Sequence, residues 1–510
     1  MNELFLFVRP PRPLWPFNSP ASAFWPPLAF ASMAASLRRD IRDLRVEIID
    51  APALHMGWRS LTAELIRRRP AYVGIGEEAV SCVEGLRVAR IARDLGACVI
   101  AGGCFFGHVA PHALASGPIQ VVVHGEGELT LTELVQALRE NRPEALARVN
   151  GISFRVEAPA GDAGGRAEIV TTLPRPLVAD LDTLPFPAWD LLPMERYGAG
   201  SVNHPRLAAL ELGRGCFGSC DFCVLWRQMG RLVGGRTLPQ FRVKSPERLL
   251  EEIQVLVRRY DRGYLGWVDP CFNAHPEIPG RLSELMLRHN LRIGQSAWMR
   301  TDGMVRDAAS GALSACVRSG LNEVYLGIER PDATSLEALH KTAGVEDARA
   351  ALRILRRDFP EVLAVGSFIY GLPGDMPPAV RAIHRLALEL ELDQFFFIPL
   401  TPLPGTAGWT PELWDPTGER FREFNFLPSG RPHGRHAELE QALLLSLLTQ
   451  WPPVRVRHYL RQWFGGHARR RRVGWRLSVR GARFHLGRLV RSVVGGKDDL
   501  GLVFPEWYES

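Results

Sequence analysis

The sequence predicts a three-part α/β protein: a doubly wound N-terminal domain, a partial (β/α)6 barrel and a helical, basic C-terminal region. Short apolar strand patterns alternate with helical patterns in two long stretches, and most of the strand patterns end in Gly or Pro. A chain of 510 residues is also too long for one hydrophobic core, because domains of ~100 to 200 residues are the norm. The expected parts are an N-terminal domain over 1–142, a linker over 143–200, a barrel over 201–405 and a C-terminal region over 406–510.

The composition is that of an ordinary folded protein, with 46% hydrophobic and 23% charged residues. The apolar N-terminus has no basic start and is broken by prolines, so it does not resemble a signal peptide. No run approaches the ~18 to 20 apolar residues that a membrane-spanning helix needs. We therefore expect a cytoplasmic protein in a reducing compartment.

Five strand patterns, ELFLFV, RVEIID, AYVGIG, ACVIAGG and IQVVVHG, alternate with helical patterns in the N-terminal domain and predict a parallel sheet with helices on both faces. Such sheets bind ligands at the carboxyl ends of their strands, where glycine lets a backbone approach closely. The candidate residues that follow the third, fourth and fifth strands are Gly74, Gly76, Gly102, Gly103, Gly125, Glu126, Gly127 and Glu128. We assign no chemistry to the linker, which is rich in Pro, Gly and Ala.

Six further β/α units follow between about residues 206 and 400. A full barrel of this kind has eight, so we expect an open, TIM-like barrel with a lateral cleft. Such a cleft suits a large substrate or a neighbouring cofactor domain. Ser245 and Pro246 predict the start of the first barrel helix, as its N-cap and its first helical residue.

Three of the eight cysteines lie close together. Cys216, Cys220 and Cys223 have the spacing C-x3-C-x2-C in the loop after the first barrel strand, on the catalytic face of a barrel. Three thiolates can bind three irons of a [4Fe-4S] cube and leave the fourth iron open to a substrate or cofactor. Two alternatives remain: a zinc site with Cys271 as fourth ligand, although structural zinc typically uses two separated pairs, and chance proximity.

The cysteine motif resembles the signature of the radical S-adenosylmethionine (SAM) superfamily, and the resemblance covers about residues 206–405. It implies that the open iron binds the amino and carboxylate groups of SAM. An external one-electron reductant of the flavodoxin or ferredoxin type would then drive cleavage to methionine and a 5′-deoxyadenosyl radical. Phe222, just before the third cysteine, matches the position whose backbone contacts the adenine.

The same resemblance assigns SAM contacts to other strand ends. Asp269, after the second strand, stands where the family places a group for the methionine amine, and Glu329, after the fourth, where it places a ribose contact. Arg300 ends the third strand and would neutralise the methionine carboxylate. The run SFIYGLPGD, which includes Ser367 and Gly371, resembles the fifth-strand motif near the adenine. The alternative for each is a helix cap or a surface ion pair.

The N-terminal domain resembles the cobalamin-binding domain that precedes the barrel in one class of these enzymes, over roughly residues 3–140. The resemblance implies that the glycines and glutamates named above bind cobalamin. The D-x-H-x-x-G motif, which supplies a histidine lower ligand in some corrinoid enzymes, is absent. His108 and His112 follow the fourth strand, and we expect them to be solvated or capping residues. The alternative is a degenerate domain that no longer binds a corrinoid.

The C-terminal region carries the positive charge of the chain, with twelve arginines and no acidic residue between Trp451 and Gly496 and a net charge of +7 overall. Arginines among aromatic residues suit an anionic membrane surface, nucleic-acid phosphates or acidic patches on the same protein. Apolar residues at helical spacing favour the membrane surface over nucleic acid. A peripheral contact with the inner face of the membrane is therefore one expectation, and the absence of a partner is the other.

The two implied cofactors predict C-methylation of an unactivated carbon in a small-molecule or lipid-like metabolite. Carbon centres without acidity cannot be reached by ordinary acid-base chemistry, whereas a radical can abstract their hydrogen. The alternatives are a cobalamin-dependent radical cyclase or rearrangement enzyme that transfers no methyl, an RNA-modifying radical SAM enzyme, and a cluster or corrinoid sensor without activity.

Overall fold

The computed structural model describes residues 3–13, 25–76, 78–156, 168–201, 203–424, 438–447 and 504–510. The arginine-rich stretch between Trp451 and Gly496 lies outside the described residues, so the membrane prediction built on it is not tested by the fold. None of the helices in the described ranges is both long and apolar enough to cross a bilayer.

A seven-stranded sheet forms the N-terminal domain. Its strands are β1 (Leu4–Arg9), β2 (Arg45–Asp50), β3 (Tyr72–Ile75), β4 (Cys98–Ala101), β5 (Val121–Val123), β6 (Ile152–Val156) and β7 (Glu168–Thr171). The order is β2-β1-β3-β4-β5-β6-β7, parallel through β5 and antiparallel after it. The helices are α1 (Leu28–Asp40), α2 (Ala51–Leu54), α3 (Trp58–Arg68), α4 (Cys82–Asp94), α5 (Gly103–Phe106), α6 (Ala110–Ser116), α7 (Gly127–Arg139) and α8 (Pro143–Ala147).

The N-terminal sheet extends beyond the expected boundary at residue 142. Strands β6 and β7 come from the segment that the sequence analysis treated as a linker. Ile152 and Phe154 alternate with polar residues and are buried on the sheet, so β6 covers what would otherwise be an open edge of β5. The parallel β/α series itself is confirmed.

A six-stranded parallel sheet forms the second domain, with the order β17-β16-β15-β14-β13-β8. These strands are β8 (Leu207–Leu210), β13 (Tyr264–Trp267), β14 (Gly294–Met299), β15 (Leu321–Glu329), β16 (Leu363–Tyr370) and β17 (Gln394–Pro399). The two edge strands do not pair with each other, so the sheet is the open six-unit barrel that the sequence predicts.

Four short strands and eight helices complete the second domain. The strands are β9 (Gly213–Cys216), β10 (Arg231–Val233), β11 (Arg236–Leu238) and β12 (Gln240–Val243). The helices are α9 (Leu225–Gln228), α10 (Pro246–Arg258), α11 (Ile278–Arg288), α12 (Thr301–Ala309), α13 (Ala312–Ser319), α14 (Ala333–Ala338), α15 (Val345–Asp358) and α16 (Pro377–Glu389). The expected start of α10 is observed, since the Arg248 amide donates to Ser245 Oγ at 3.2 Å.

The two domains share a hydrophobic core. Alternate residues of β1 enter different cores, with Phe5 and Phe7 on one face of the sheet and Leu6 on the other. The core on the Phe5 side continues without a break into the barrel. The segment predicted as a linker also takes part in this contact. Its Ala188 amide donates to the carbonyl oxygen of Ala31 at 2.9 Å. The predicted cofactor sites of the two domains therefore lie in one packed body.

The final residues, 504–510, lie against the N-terminal domain. The Trp58 amide at the start of α3 donates to the carbonyl oxygen of Tyr508 at 3.1 Å. The Tyr508 hydroxyl donates to Glu84 Oε1 at 2.8 Å, and Glu84 also pairs with Arg422 at 3.0 Å. The approach depends on Gly57, because a Cβ added there would lie 2.1 Å from the carbonyl oxygen of Trp507.

We predict that Gly57→Ala displaces residues 504–510 from α3. Hydrogen exchange at the Trp58 amide, which would lose its acceptor on Tyr508, should accelerate by about tenfold or more, as expected when a local segment opens. Gly344→Ala is the matched control, since a Cβ there would meet its nearest atom on Asp347 at an ordinary 3.7 Å. Unchanged protection of the Trp58 amide in the Gly57 variant would contradict this view of the contact.

Candidate active site

The cysteine loop lies between the barrel and the N-terminal domain. Strand β9 ends at Cys216, and the side-chain amide of Gln228, the last residue of α9, donates to the carbonyl oxygen of Gly125 at 3.3 Å. Burial raises the pKa of Cys104 in the N-terminal domain to about 12, with a contribution from the charge of nearby Cys223. The carboxyl edge of the N-terminal sheet therefore faces the cysteine loop.

Backbone contacts hold the three thiols on one compact loop. The Cys223 amide donates to the carbonyl oxygen of Cys220 at 3.1 Å, and the indole N–H of Trp226 donates to the same oxygen at 2.8 Å. The Gly218 amide donates to Cys216 Sγ at 3.3 Å. All three cysteines are free of disulfides. The loop thus presents three reduced thiols from a fixed backbone.

Cys271, the alternative fourth ligand, lies beside the first cysteine of the motif. The Cys271 thiol donates to Asn273 Oδ1 at 3.4 Å, and the nearby Cys271 lowers the pKa of Cys216. Within the described ranges no set of three or more His, Cys, Asp or Glu side chains converges closely enough to bind one metal ion. Three thiolates from one loop can each bind a different iron of a [4Fe-4S] cluster and leave the fourth iron open.

Arg300 lies where the cysteine loop passes the end of β14. Its guanidinium stacks on the Phe217 ring at 4.6 Å, and its Nη1 would lie 3.1 Å from a Cβ added at Gly218. Its Nη2 donates to Asp302 and to Thr342, both at 2.6 Å. The predicted cation is thus at the loop, already paired with a carboxylate, and its contact with the methionine carboxylate stays a prediction.

Glu329 adopts a left-handed backbone conformation, with φ of 69°, at a register shift between β15 and β16. Such a conformation costs a non-glycine residue about 1 to 3 kcal/mol and is concentrated at functional sites. Burial raises the pKa of Glu329, and its carboxylate pairs with Lys341 at 3.6 Å. The charge of Lys341 also acts on Cys216 and Cys220. The ribose contact of Glu329 stays a prediction.

Lys341 is a site residue that the sequence analysis missed. It lies in the loop between α14 and α15 and belongs to no recognisable motif. Its only sequence signal is that it is one of three lysines in a chain with 62 lysines and arginines in total.

Asp269 holds the backbone that leads into the cysteine loop. Its two carboxylate oxygens accept hydrogen bonds from the amides of Leu212 at 3.0 Å and Gly213 at 2.6 Å, at the turn from β8 to β9. Burial raises its pKa to about 7. The structure therefore gives Asp269 a positioning role, and its predicted contact with the methionine amine is not tested.

The fifth-strand motif is held by a buried ion pair. Gly371 has φ of +84°, and its amide donates to Asp375 at 2.8 Å. Asp375 accepts two hydrogen bonds from Arg330, at 2.7 and 2.8 Å. Ser367 is buried within β16, and Phe222 is half-buried in the cysteine loop. The adenine contacts assigned to Phe222, Ser367 and Gly371 remain predictions.

Four of the predicted glycines form a backbone edge that faces the cysteine loop. They are Gly76, Gly102, Gly103 and Gly125. Gly103 and Gly125 have φ of +80° and +68°, which side chains rarely adopt. A Cβ at Gly125 would meet no atom within 4 Å, so the backbone there is open to a bound group.

Gly74 and Gly127 have packing roles within the domain, and their predicted contact with cobalamin stays a prediction. Gly74 lies within β3, and a Cβ there would come within 2.9 Å of Phe5 and Phe7. Gly127 begins α7, and a Cβ there would lie 2.4 Å from Met33 Sδ on α1. Both glycines allow close contact inside the domain.

His108 is neither solvated nor a capping residue. Its ring lies against the backbone of Gly405, where an added Cβ would meet it at 2.7 Å. Burial lowers its pKa to about 4, so the ring is neutral at physiological pH. Its buried Nε2 has no hydrogen-bond partner within the described residues. His112 stacks on Trp414 with ring centroids 5.8 Å apart.

A buried ion-pair network joins the N-terminal domain to β9. Arg214, two residues before the first cysteine of the motif and only 8% exposed, pairs with Glu126 at 3.0 Å, Glu128 at 2.6 Å and Glu211 at 2.9 Å. Arg242 of β12 pairs with Glu126 at 2.9 Å. Burial alone would lower the pKa of Arg214, but the three carboxylates raise it.

This network changes the interpretation of two predicted residues. Glu126 and Glu128 were expected to contact cobalamin, but their carboxylates bind cations of the barrel. Glu126 also accepts from the backbone amide of Val178 at 2.7 Å. The two glutamates therefore join the glycine-rich edge to the cysteine loop.

Three relatives are similar to this chain over most of its length. The chain is 29% identical over 387 residues to the methyltransferase PH0819 of Pyrococcus horikoshii, covering 75% of this chain and 78% of the relative. It is 25% identical over 406 residues to the anaerobic magnesium-protoporphyrin IX monomethyl ester cyclase of Rubrivivax gelatinosus, covering 79% and 68%. It is 26% identical over 432 residues to the hopanoid C-3 methylase of Methylococcus capsulatus, covering 82% and 76%.

A solved structure has the same fold. The radical SAM methyltransferase TsrM of Kitasatospora setae, determined with cobalamin and a [4Fe-4S] cluster bound, superposes with a TM-score of 0.60 at 18% identity. The match covers 80% of this chain and 77% of TsrM. The likeness extends over both domains.

We predict that Arg214→Gln lowers the free energy of unfolding by about 3 to 5 kcal/mol, because it leaves buried carboxylates without their cation. Chemical denaturation of the anaerobically prepared protein measures the change. Arg206→Gln is the control, because Arg206 pairs with Asp261 on an exposed surface, where such pairs contribute about 0 to 1 kcal/mol. Equal stability of the two variants would show that the buried network is not a major contribution.

The family match covers the cysteine loop itself. Residues 210–387 match the radical SAM superfamily, from the last residue of β8 into α16. Domains of this family carry a [4Fe-4S] cluster and use SAM, and the three free thiols in the first loop of the barrel fit that chemistry. The sequence-based prediction is therefore confirmed over residues 210–387, which form a radical SAM domain.

Proposed function

We propose that this radical SAM enzyme depends on cobalamin and C-methylates an unactivated carbon of a small-molecule or lipid-like metabolite. The observation that supports the proposal most is that the cysteine loop faces the glycine edge of a doubly wound sheet, where such sheets bind ligands. A cofactor bound at that edge would stand opposite the cluster.

The residues at the glycine edge fit a large cofactor. Gly103 and Gly125 expose backbone without side chains, and the buried Nε2 of neutral His108 has no partner in the part of the chain that the structure describes. Such a nitrogen is costly unless a ligand satisfies it. When bound, the cluster would supply the electron that cleaves SAM, and cobalamin would carry the methyl group. The chain itself contributes the thiols that hold the cluster and the cations Arg300 and Lys341 that offset its negative charge.

The names of the relatives support methyl transfer over other radical chemistry. Two of the three are a methyltransferase and a hopanoid methylase, and the latter acts on a lipid-like compound. A cobalamin-dependent cyclase without methyl transfer is the second candidate, because the third relative is a cyclase. Reduction would come from an external one-electron donor of the flavodoxin or ferredoxin type.

Methyl transfer is tested with methyl-labelled SAM. We expect the reduced, cobalamin-loaded enzyme, incubated anaerobically with an extract of apolar metabolites, to form 5′-deoxyadenosine and to leave labelled methyl in one product, detected by mass spectrometry. Formation of 5′-deoxyadenosine with no label in any product would favour the cyclase. No 5′-deoxyadenosine at all would contradict both candidates.

The role of the three-cysteine loop is tested by paired substitutions. We predict that Cys220→Ala loses the [4Fe-4S] cluster and forms no 5′-deoxyadenosine, while cobalamin binding in the other domain persists. Cys271→Ala should retain about four irons per chain, because the fourth iron needs no protein ligand. Iron analysis and the visible spectrum of each variant provide the measurement. Loss of the cluster in both variants would point to a four-cysteine site and would contradict the open iron.

The proposed membrane contact rests on the arginine-rich stretch between Trp451 and Gly496, outside the described residues. We expect the full chain to co-sediment with anionic liposomes and to be released by salt, as electrostatic binding to lipid surfaces requires. Absence of salt-sensitive binding would remove this part of the proposal.

A further inference from the structure

One face of the barrel sheet carries a half-exposed aromatic pair near the cysteine loop. Ala297 and Met299 of β14, and Val324 and Leu326 of β15, belong to the main hydrophobic core. Because side chains alternate along a strand, the residues between them, Trp298 included, lie on the opposite face. This second face is the inner face of the open barrel.

The aromatic pair is Trp298 and Tyr325, directly opposite each other on β14 and β15. Their rings stack with centroids 5.0 Å apart and an interplanar angle of 27°. Trp298 is 38% exposed, although its sequence neighbours Ala297 and Met299 are buried. A large apolar side chain with an open ring face inside a sheet is a surface suited to a ligand.

Hydrogen bonds among buried polar side chains hold the Tyr325 ring of this pair in place. The Tyr325 hydroxyl donates to Glu323 Oε1 at 2.6 Å, and the other oxygen of Glu323 lies 2.8 Å from His204 Nε2. These bonds restrict rotation of the Tyr325 ring and hence the plane on which Trp298 stacks. On the neighbouring strand, Val268 is 40% exposed and adds apolar surface beyond the end of β13.

The aromatic pair lies two residues along the strand from the level of the cysteine loop. Arg300, which contacts the cysteine loop at Phe217 and Gly218, is two residues after Trp298. Two residues along a strand span roughly 7 Å. The cations at this end are already paired, Arg300 with Asp302 and Lys341 with Glu329. The surface therefore favours a neutral, apolar group over an anion.

We propose that Trp298 and Tyr325 form a substrate platform on which a flat aromatic or unsaturated polycyclic ring system stacks. The reacting carbon of this substrate points toward the cysteine loop and its cluster. This inference rests on the proposed function and adds the substrate class. An acyl chain would gain binding free energy only from burial of its apolar surface. A flat ring would gain additional binding free energy from stacking on the indole.

Two neutral alcohols test the platform in the full, anaerobically reconstituted enzyme: 1-hydroxypyrene as the flat probe and 1-dodecanol as the acyclic probe. Pyrene fluorescence anisotropy gives the first dissociation constant, and competition gives the second. We expect Trp298→Ala to weaken the binding of 1-hydroxypyrene about three- to tenfold. Trp298→Phe should weaken this binding less, in proportion to the stacking that is lost. Binding of 1-dodecanol should change less than twofold in either variant.

Leu232→Ala is the control, because Leu232 is an exposed apolar residue on the β10–β11 hairpin, outside the proposed platform. It should bind both probes as the unsubstituted enzyme does. Unchanged 1-hydroxypyrene affinity in Trp298→Ala would overturn the platform, and so would an equal loss for both probes. The proposed function fails separately: a platform that binds 1-hydroxypyrene through Trp298, in an enzyme that never transfers labelled methyl, would leave the platform standing and reject methylation.

Discussion

The arrangement of this enzyme depends on a buried ion-pair network between two domains, at the centre of which lies Arg214. Its guanidinium contacts Glu126 and Glu128 of the N-terminal domain as well as Glu211 of the barrel. A buried charge is tolerated only when it is paired and hydrogen-bonded, so the three carboxylates and the arginine must be assembled together. Because Arg214 lies two residues before Cys216, the same contact fixes where the cysteine loop begins relative to the glycine edge.

The site around the cysteines follows from that constraint. Asp269 holds the turn before the loop, and Arg300 stacks on Phe217 within it. Lys341, held by the strained Glu329, adds positive charge near the thiols. Positive charge stabilises thiolates and therefore the cluster that they bind. On the other side of the interface are the open backbone of Gly125 and His108, whose Nε2 has no hydrogen-bond partner among the described residues. The geometry brings the cysteine loop and the glycine edge face to face.

Local patterns in the sequence were enough to predict the parallel strands of both sheets, the helices that alternate with them and the cysteine loop. Strand and helix patterns depend on neighbouring residues, and the C-x3-C-x2-C spacing spans only eight residues. Long-range contacts were not predictable in this way. Glycines in the N-terminal domain look alike in sequence, yet Gly74 packs on Phe7 while Gly125 faces open space. Glu128 finds its partner 86 residues away, and no local pattern could indicate that pairing.

We expect the three cysteines to bind three irons of the cluster and to leave the fourth iron open to SAM. Mössbauer spectroscopy of the protein reconstituted with 57Fe tests this most directly, because it resolves the irons of one cluster by their ligands. Addition of SAM should change the signal of one iron in four and leave the other three as they were. A spectrum in which SAM alters none of the four irons would contradict it.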